Sequence, residues 1–80
     1  MERRTVVGMR TLDFTGSDGR PVCGVSLHLQ YDDPDVEGFA VEKIFVQMPV
    51  FRAASYVPEV GGDCGLVFNR KGKVTDIVRV

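Results

Sequence analysis

The sequence predicts an all-β domain, a small antiparallel barrel of five strands with one short helical segment between the third and fourth strands. Five runs rich in apolar and β-branched residues alternate with turn residues, at a spacing typical of small β domains. The only long gap between runs follows the third run. With 80 residues, the chain is expected to form one domain over residues 1–80, near the lower size limit for a self-sufficient core.

The first two runs predict a hairpin. The first strand is expected over residues 5–14, with Gly8 marking a bulge or bend. Residues 15–20 hold an Asp-Gly pair, a hairpin signal. The second strand, residues 22–31, alternates with a period of two, which is typical of a strand with one buried and one wet face. The predicted buried face comprises Cys23, Val25, Leu27, Leu29 and Tyr31, and the wet face comprises Val22, Gly24, Ser26, His28 and Gln30.

The third strand follows an acidic turn at residues 32–38 and is expected over residues 39–48, ended by Pro49. Its alternation is less regular, because Glu42 falls on the face predicted to be buried. That face comprises Ala40, Glu42, Ile44, Val46 and Met48, and the opposite face comprises Phe39, Val41, Lys43, Phe45 and Gln47.

The long gap predicts the helical segment. Residues 50–57 lack a period of two and contain two alanines, so we expect a helical turn packed through Phe51, Ala54 or Tyr56 and ended by Pro58. A turn at residues 60–63 leads to the fourth strand, residues 64–69. The turn at residues 69–72 places Gly72 for a positive φ before the fifth strand, residues 73–80.

Three meandering strands, a helical connection and a closing hairpin form the layout of an OB-type barrel. An SH3-like barrel is the main alternative, and the helical segment favours the OB type. Closure into a barrel would also remove the strand edges that an open five-stranded sheet exposes to water.

Charge is segregated along a chain whose net charge is −1. Acidic residues concentrate in the middle, whereas the last eleven residues hold four cations and one acid. This segregation is compatible with one basic face. Two cysteines, Cys23 and Cys64, are expected to be buried free thiols of a cytoplasmic protein. We expect no signal peptide and no membrane span.

The residues contain no catalytic or metal-binding motif, so a non-enzymatic protein without cofactor or metal is expected. His28 has Ser26 and Gln30 as polar neighbours but no evident acidic partner to orient it. The acidic turn lacks the glycine and the final glutamate of an EF-hand loop. The glycines of residues 61–65 precede no helix and no Lys-Ser/Thr pair, so they do not form a phosphate loop.

A binding surface remains as the functional expectation. OB barrels bind through the face of strands two and three and the two flanking loops. An outward Phe45 beside Lys43 combines a stacking platform with a phosphate partner, and stacking is worth about 1–3 kcal/mol per base. The residues expected to bind single-stranded nucleic acid are Arg20, His28, Lys43, Phe45, Arg70, Lys71 and Lys73.

Four segments carry a resemblance to a known group of proteins: V-V-G-M-R-T-L-D-F-T, Y-D-D-P-D-V-E-G, E-K-I-F-V and N-R-K-G-K-V. In these, the chain resembles small OB-fold proteins of phages and Gram-positive conjugative elements. Those proteins are similar in size and layout to the filamentous-phage single-stranded-DNA-binding protein, a dimer. The resemblance implies binding of single-stranded DNA during replication or transfer of a phage or mobile element.

A protein-interaction or assembly module is the alternative function. An outward apolar strip containing Val41 and Phe45 would then join two barrels, and the acidic centre would contact a basic partner. A domain this small gains stability by burying such a strip, so a homodimer is compatible with either function.

Overall fold

The computed structural model describes residues 2–80 and contains five strands and one short helix. The predicted number and order of elements are confirmed, including a helix between the third and fourth strands. The elements are β1 (Arg4–Thr15), β2 (Pro21–Tyr31), β3 (Ala40–Gln47), α1 (Met48–Ala53), β4 (Asp63–Phe68) and β5 (Val74–Val78).

The strands form one antiparallel sheet in the order β3-β2-β1-β4-β5. Strand β1 pairs with β2 along its length but meets β4 only at Arg4 and Thr5. The β1–β2 hairpin therefore projects beyond the rest of the sheet, and the molecule measures 41 × 26 × 26 Å. The bulge expected near Gly8 is confirmed, because the β1–β2 register shifts between Val6 and Gly8.

One face of the curved sheet holds the core. Strand β2 supplies its centre, as the period of two predicts, and α1 packs against this cluster through half-buried side chains that include Met48 and Phe51. The loop after α1 adds Ala54 and Tyr56. The buried cluster comprises Val6, Val25, Leu27, Leu29, Val46, Cys64, Leu66, Val74 and Ile77.

The expected closure into a barrel is wrong. Within residues 2–80 no ladder of hydrogen bonds joins β3 to β5, and these two strands are the edges of the sheet. Strand β3 leads directly into α1, which packs against β2, β3 and β5. The two edges are therefore held near each other by the helix, and a cavity lies between them where a ladder would have formed.

The helix begins at Met48, two residues before the predicted start, and ends at Ala53 rather than near Pro58. Proline is tolerated in the first turn of a helix, where its missing N–H has no intrahelical partner, so Pro49 does not delay the helix. The helix ends early because the chain turns to β5: the backbone N–H of Tyr56 donates to the carbonyl of Ile77 at 2.9 Å.

Strand β5 does not alternate strictly between buried and exposed residues. The register of β4 and β5 shifts between Val67 and Phe68. Val67 pairs with Asp76 and Phe68 pairs with Val74, so Thr75 has no direct partner. Val74 and Ile77 are consequently both buried, although they are three positions apart. An extra residue in one strand shifts the following side chains to the other face.

The two cysteines lie in different environments. Cys64 is buried, as expected, but Cys23 is exposed. Cys23 does lie on the core side of β2, opposite Asp13. That part of the hairpin extends past the packed core, so the prediction of a buried thiol at Cys23 is wrong.

In the described part of the chain, no helix has the length and apolar character needed to cross a membrane.

Candidate functional site

The side of β1, β2 and β3 that faces away from the core forms one continuous surface, here called the outer face. Residues paired across neighbouring strands point to the same side of a sheet, so the two ladders define its members. They run in rows from β1 through β2 to β3: Phe14 and Val22; Leu12, Gly24 and Gln47; Arg10, Ser26 and Phe45; Gly8, His28 and Lys43; Thr5, Gln30 and Val41.

The outer face is positively charged although the protein as a whole is not. Among the described residues of these rows there is no aspartate or glutamate. Asp63 of β4 lies beside the last row, because it pairs with Thr5 and accepts a hydrogen bond from the Thr5 hydroxyl at 2.6 Å. Arg10 and Lys43 are exposed, and neither forms an ion pair within residues 2–80. A chain of net charge −1 thus presents two unneutralised cations beside one histidine.

Phe45 projects from this face, which confirms the register predicted for β3. Phe45 is 41% exposed. It pairs with Ser26 of β2, so its row lies between the row of Gly24 and the row of His28. The ring rests on Gly24, where an added Cβ would lie 2.5 Å from its Cζ atom. Glycine therefore provides the space in which the ring lies, and Phe45 remains partly exposed to solvent.

Two residues of the β2 face that is predicted to be exposed to solvent are in fact buried. Gly24 is buried and Ser26 is 5% exposed, because the neighbouring side chains of the outer face cover them. His28 is exposed as expected, and it packs on Gly8, since a Cβ there would lie 3.6 Å from the Cβ of His28. The register also places His28 directly opposite Lys43.

A cavity of about 300 Å³ lies in the open seam between β3 and β5. Phe45 and Gln47 line it from β3, and Val50 lines it from α1. The β4–β5 hairpin supplies the remaining wall, which consists of Asn69, Lys73, Val74 and Thr75. The cavity therefore has an apolar wall, several uncharged polar groups and one cation, and it opens beside Phe45.

The β4–β5 turn is held by Asn69. Its Oδ1 atom accepts hydrogen bonds from the backbone N–H groups of Lys71 and Lys73, at 2.9 and 3.0 Å. Gly72 has a φ of +79°, as its position in the turn requires. The exposed cations Arg70, Lys71 and Lys73 are thus carried on a defined turn, and Lys73 reaches the cavity that Phe45 also lines.

Arg20 lies in the β1–β2 turn, at the distal end of the hairpin. Its side chain is 87% exposed, and its Nε atom lies 3.9 Å from the Oδ2 atom of Asp18. This neighbouring carboxylate offsets part of its charge. Of the residues predicted to bind, the structure places His28, Lys43 and Phe45 on the outer face and Lys73 at the adjoining cavity. Arg20 lies apart from them, at the β1–β2 turn beside Asp18.

Glu42, the mismatch in the third strand, points to the opposite side of the sheet from the outer face. Its Oε1 atom accepts a hydrogen bond of 2.6 Å from the Nε atom of Arg4. The guanidinium also lies over the rings of Tyr31 and Phe68, with 5.9 and 5.7 Å to their centroids. Glu42 is thus a structural carboxylate at the end of the core and adds no negative charge to the outer face.

Two groups outside the outer face have shifted pKa values. Burial raises the pKa of the Cys64 thiol, and the nearby Arg4 opposes this effect only in part. Hydrogen bonds from the hydroxyl and backbone N–H of Ser55 lower the pKa of Asp76. A buried thiol with a raised pKa is a poor nucleophile, so Cys64 is a core residue rather than a reactive one.

Sequence reasoning missed Arg10, Asn69 and Thr75 as members of this region. Arg10 could have been found by continuing the alternation of β1 past the predicted bulge, which brings it to the face of His28. Asn69 and Thr75 reach the cavity through the curvature of the sheet. No pattern along one strand encodes that curvature.

Among residues 2–80, no three histidine, cysteine, aspartate or glutamate side chains are grouped so that they could hold a metal ion. No protein-family model, curated protein or solved structure matches the chain.

Proposed function

We propose that this protein binds single-stranded DNA, without catalysis, through the outer face and the adjoining β4–β5 turn. The observation that carries the proposal is the composition of the outer face. It combines an exposed aromatic ring with unpaired cations and contains no acidic residue among those described. Proteins that bind single strands combine aromatic platforms for bases with a positively charged track for the backbone.

The fold supports the same function. We propose that the sheet is an OB-type arrangement with one open seam. In favour are the strand order β3-β2-β1-β4-β5 and the helix that connects β3 to β4. OB barrels are five-stranded and partly open, and they bind oligonucleotides on the face of their second and third strands. Phe45 and Lys43 belong to β3, and His28 belongs to β2.

The resemblance to small proteins of phages and conjugative elements suggests a biological setting. The segments that carry it include the Arg10 region of β1, the Phe45 region of β3 and the β4–β5 turn. These are the segments that supply the outer face and the turn cations. We therefore propose replication or transfer of a mobile element as the process in which the protein binds DNA.

Fluorescence anisotropy with a labelled single-stranded oligonucleotide tests the proposal. Titrations at several salt concentrations should show binding that weakens steeply as salt rises, with a slope of about −0.7 in log K against log salt for each phosphate neutralised. A matched duplex should bind more weakly, because its bases cannot stack on Phe45. Absence of binding at the lowest salt concentration would reject the proposal.

Self-association through apolar side chains is a second candidate function, favoured by the end of the sheet opposite the β1–β2 turn. Phe39 is 60% exposed, Val41 is 71% exposed and Val7 is 48% exposed. Val7 and Val41 also line a surface depression, together with His28, Leu29, Glu42 and Lys43. Sedimentation velocity over a range of protein concentrations tests this function. An apolar association should persist at high salt, whereas DNA binding should not.

A further inference from the structure

We propose that the cavity in the β3–β5 seam receives one base of the bound strand and prefers a base whose edge carries a carbonyl oxygen, such as thymine. This inference rests on the proposed DNA-binding function and adds base preference to it. The outer face described above attracts any single strand. The seam cavity, by contrast, contains the side-chain amide of Asn69 in a fixed position, and fixed donors and acceptors distinguish one base from another.

The cavity has the size and lining of a small binding pocket. Its volume of about 300 Å³ lies at the lower end of the range for ligand pockets, which suits a single base. Phe45 provides an aromatic wall, and Val50 and Val74 provide apolar contacts. Lys73 at the same cavity can meet the phosphate that accompanies the base.

Asn69 determines the preference. Both groups bonded to the oxygen of its side-chain amide are backbone N–H donors, so the oxygen is engaged and its orientation is fixed. The Nδ2 group is then the part of this amide that remains for a ligand. It can only donate. An acceptor on the base, such as a carbonyl oxygen of thymine, satisfies it.

Adenine fits this arrangement less well. Where thymine presents the O4 carbonyl, adenine presents an amino group, which is also a donor. Two donors facing each other leave both unsatisfied. Gln47 does not restore the balance, since its amide can turn to serve either base. Thr75 donates its hydroxyl to the carbonyl of Val67 at 3.3 Å, so it offers acceptor capacity but no second fixed donor.

Asn69→Asp is the decisive variant. Aspartate keeps an oxygen for the N–H groups of Lys71 and Lys73, so the turn is retained, and it replaces the donor by an acceptor. The variant also adds one negative charge, so the net charge changes by about −1. Lys71→Gln is the matched control, because it changes the charge by the same amount on the same turn but leaves the Asn69 amide intact.

The test compares the affinities of labelled oligo(dT) and oligo(dA), each about twelve nucleotides long, which is within the range of single-strand site sizes. Because oligo(dA) stacks on itself, the criterion is the change in the (dT)/(dA) affinity ratio between variants. One neutral hydrogen bond predicts that Asn69→Asp lowers this ratio by about 3- to 10-fold. Lys71→Gln should weaken both oligonucleotides equally and leave the ratio unchanged.

The outcomes separate the two proposals. If wild-type protein binds neither oligonucleotide at low salt, DNA binding itself is rejected. If wild-type protein binds both oligonucleotides but the (dT)/(dA) affinity ratio is the same for Asn69→Asp as for Lys71→Gln, the base pocket is rejected. DNA binding through the outer face is retained in that case. Unfolding curves of both variants, compared with wild type, establish that the turn is intact.

Discussion

The ring of Phe45 lies on Gly24, and the two residues are positioned by adjacent strands of the sheet. A Cβ at Gly24 would come within 2.5 Å of the Cζ atom of Phe45 and would also collide with the carbonyl oxygen of Val46. The absence of a side chain at Gly24 is thus what allows Phe45 to lie against the sheet. The partly exposed position of Phe45 therefore depends on a residue of the neighbouring strand.

Gly24→Ala should therefore destabilise the protein. Overpacking of this kind costs about 1–3 kcal/mol, because the ring or the backbone must move. Urea unfolding measures the loss. Gly8→Ala is the control, since a Cβ at Gly8 would lie 3.6 Å from the nearest atom of His28, an ordinary contact. Equal losses for the two variants would show that neither the ring of Phe45 nor the carbonyl oxygen of Val46 restricts the space over Gly24.

Phe45→Leu separates stacking from packing. Leucine still covers Gly24, so stability should fall by less than about 1.5 kcal/mol. Affinity for single-stranded DNA should fall by about 5- to 150-fold, which corresponds to the loss of about 1–3 kcal/mol for one base stacked on an aromatic ring. Phe39→Leu, at an exposed aromatic residue before β3, should change affinity little. Anisotropy titrations at one fixed salt concentration provide the comparison.

Arg10→Gln and Lys43→Gln test the charge of the outer face. If each cation neutralises one phosphate, each substitution should make the slope of log K against log salt shallower by about 0.7. Arg52→Gln is the charge-matched control, because Arg52 is exposed on α1, away from the outer face. A slope that changes as much with Arg52→Gln as with the other two would indicate that net charge, rather than the outer face, governs binding.

Much of the architecture follows from local patterns. The period of two in β2 and β3 predicts which side of each strand is buried, and proline and glycine positions predict the turns. The open seam could not be predicted in this way. Whether β3 pairs with β5 depends on how α1 packs between the strand ends, and this is a property of the assembled sheet.

The candidate site shows the same division. Lys43 and Phe45 are predictable because alternation alone places them on one side of β3. Arg10 requires the register across the bulge, and Asn69 requires the curvature that brings the β4–β5 turn to the seam. Alternation with buried residues predicts that Ser26 is exposed. Its burial results from neighbouring side chains on other strands.

Glu42→Gln tests the ion pair at the end of the core. The Nε atom of Arg4 lies 2.6 Å from the Oε1 atom of Glu42, and the two side chains are only 13% and 28% exposed. Replacing a charge-assisted hydrogen bond in a partly buried place should cost about 1–3 kcal/mol of unfolding free energy. Glu37→Gln, in the exposed acidic turn, should cost almost nothing.

DNA binding should be unchanged in both variants, because Glu42 does not belong to the outer face. A stability loss no larger than that of Glu37→Gln would contradict a structural role for the pair.

Asp76 makes part of the stability depend on acid pH. Its carboxylate accepts hydrogen bonds of 2.8 and 2.7 Å from the backbone N–H and the hydroxyl of Ser55, and these lower its pKa below the ordinary value of 3.8. A carboxyl group whose pKa is lowered by folding contributes stability above its unfolded pKa and loses it as pH falls through the folded value.

The melting temperature of the wild-type protein should therefore fall from about pH 4 downward, and part of this fall should come from protonation of Asp76. Asp76→Asn should remove this part of the fall and flatten the profile at low pH, and Ser55→Ala should reduce it. Profiles from pH 7 to acid conditions that are parallel for wild type and Asp76→Asn would show that Asp76 does not anchor the loop after α1.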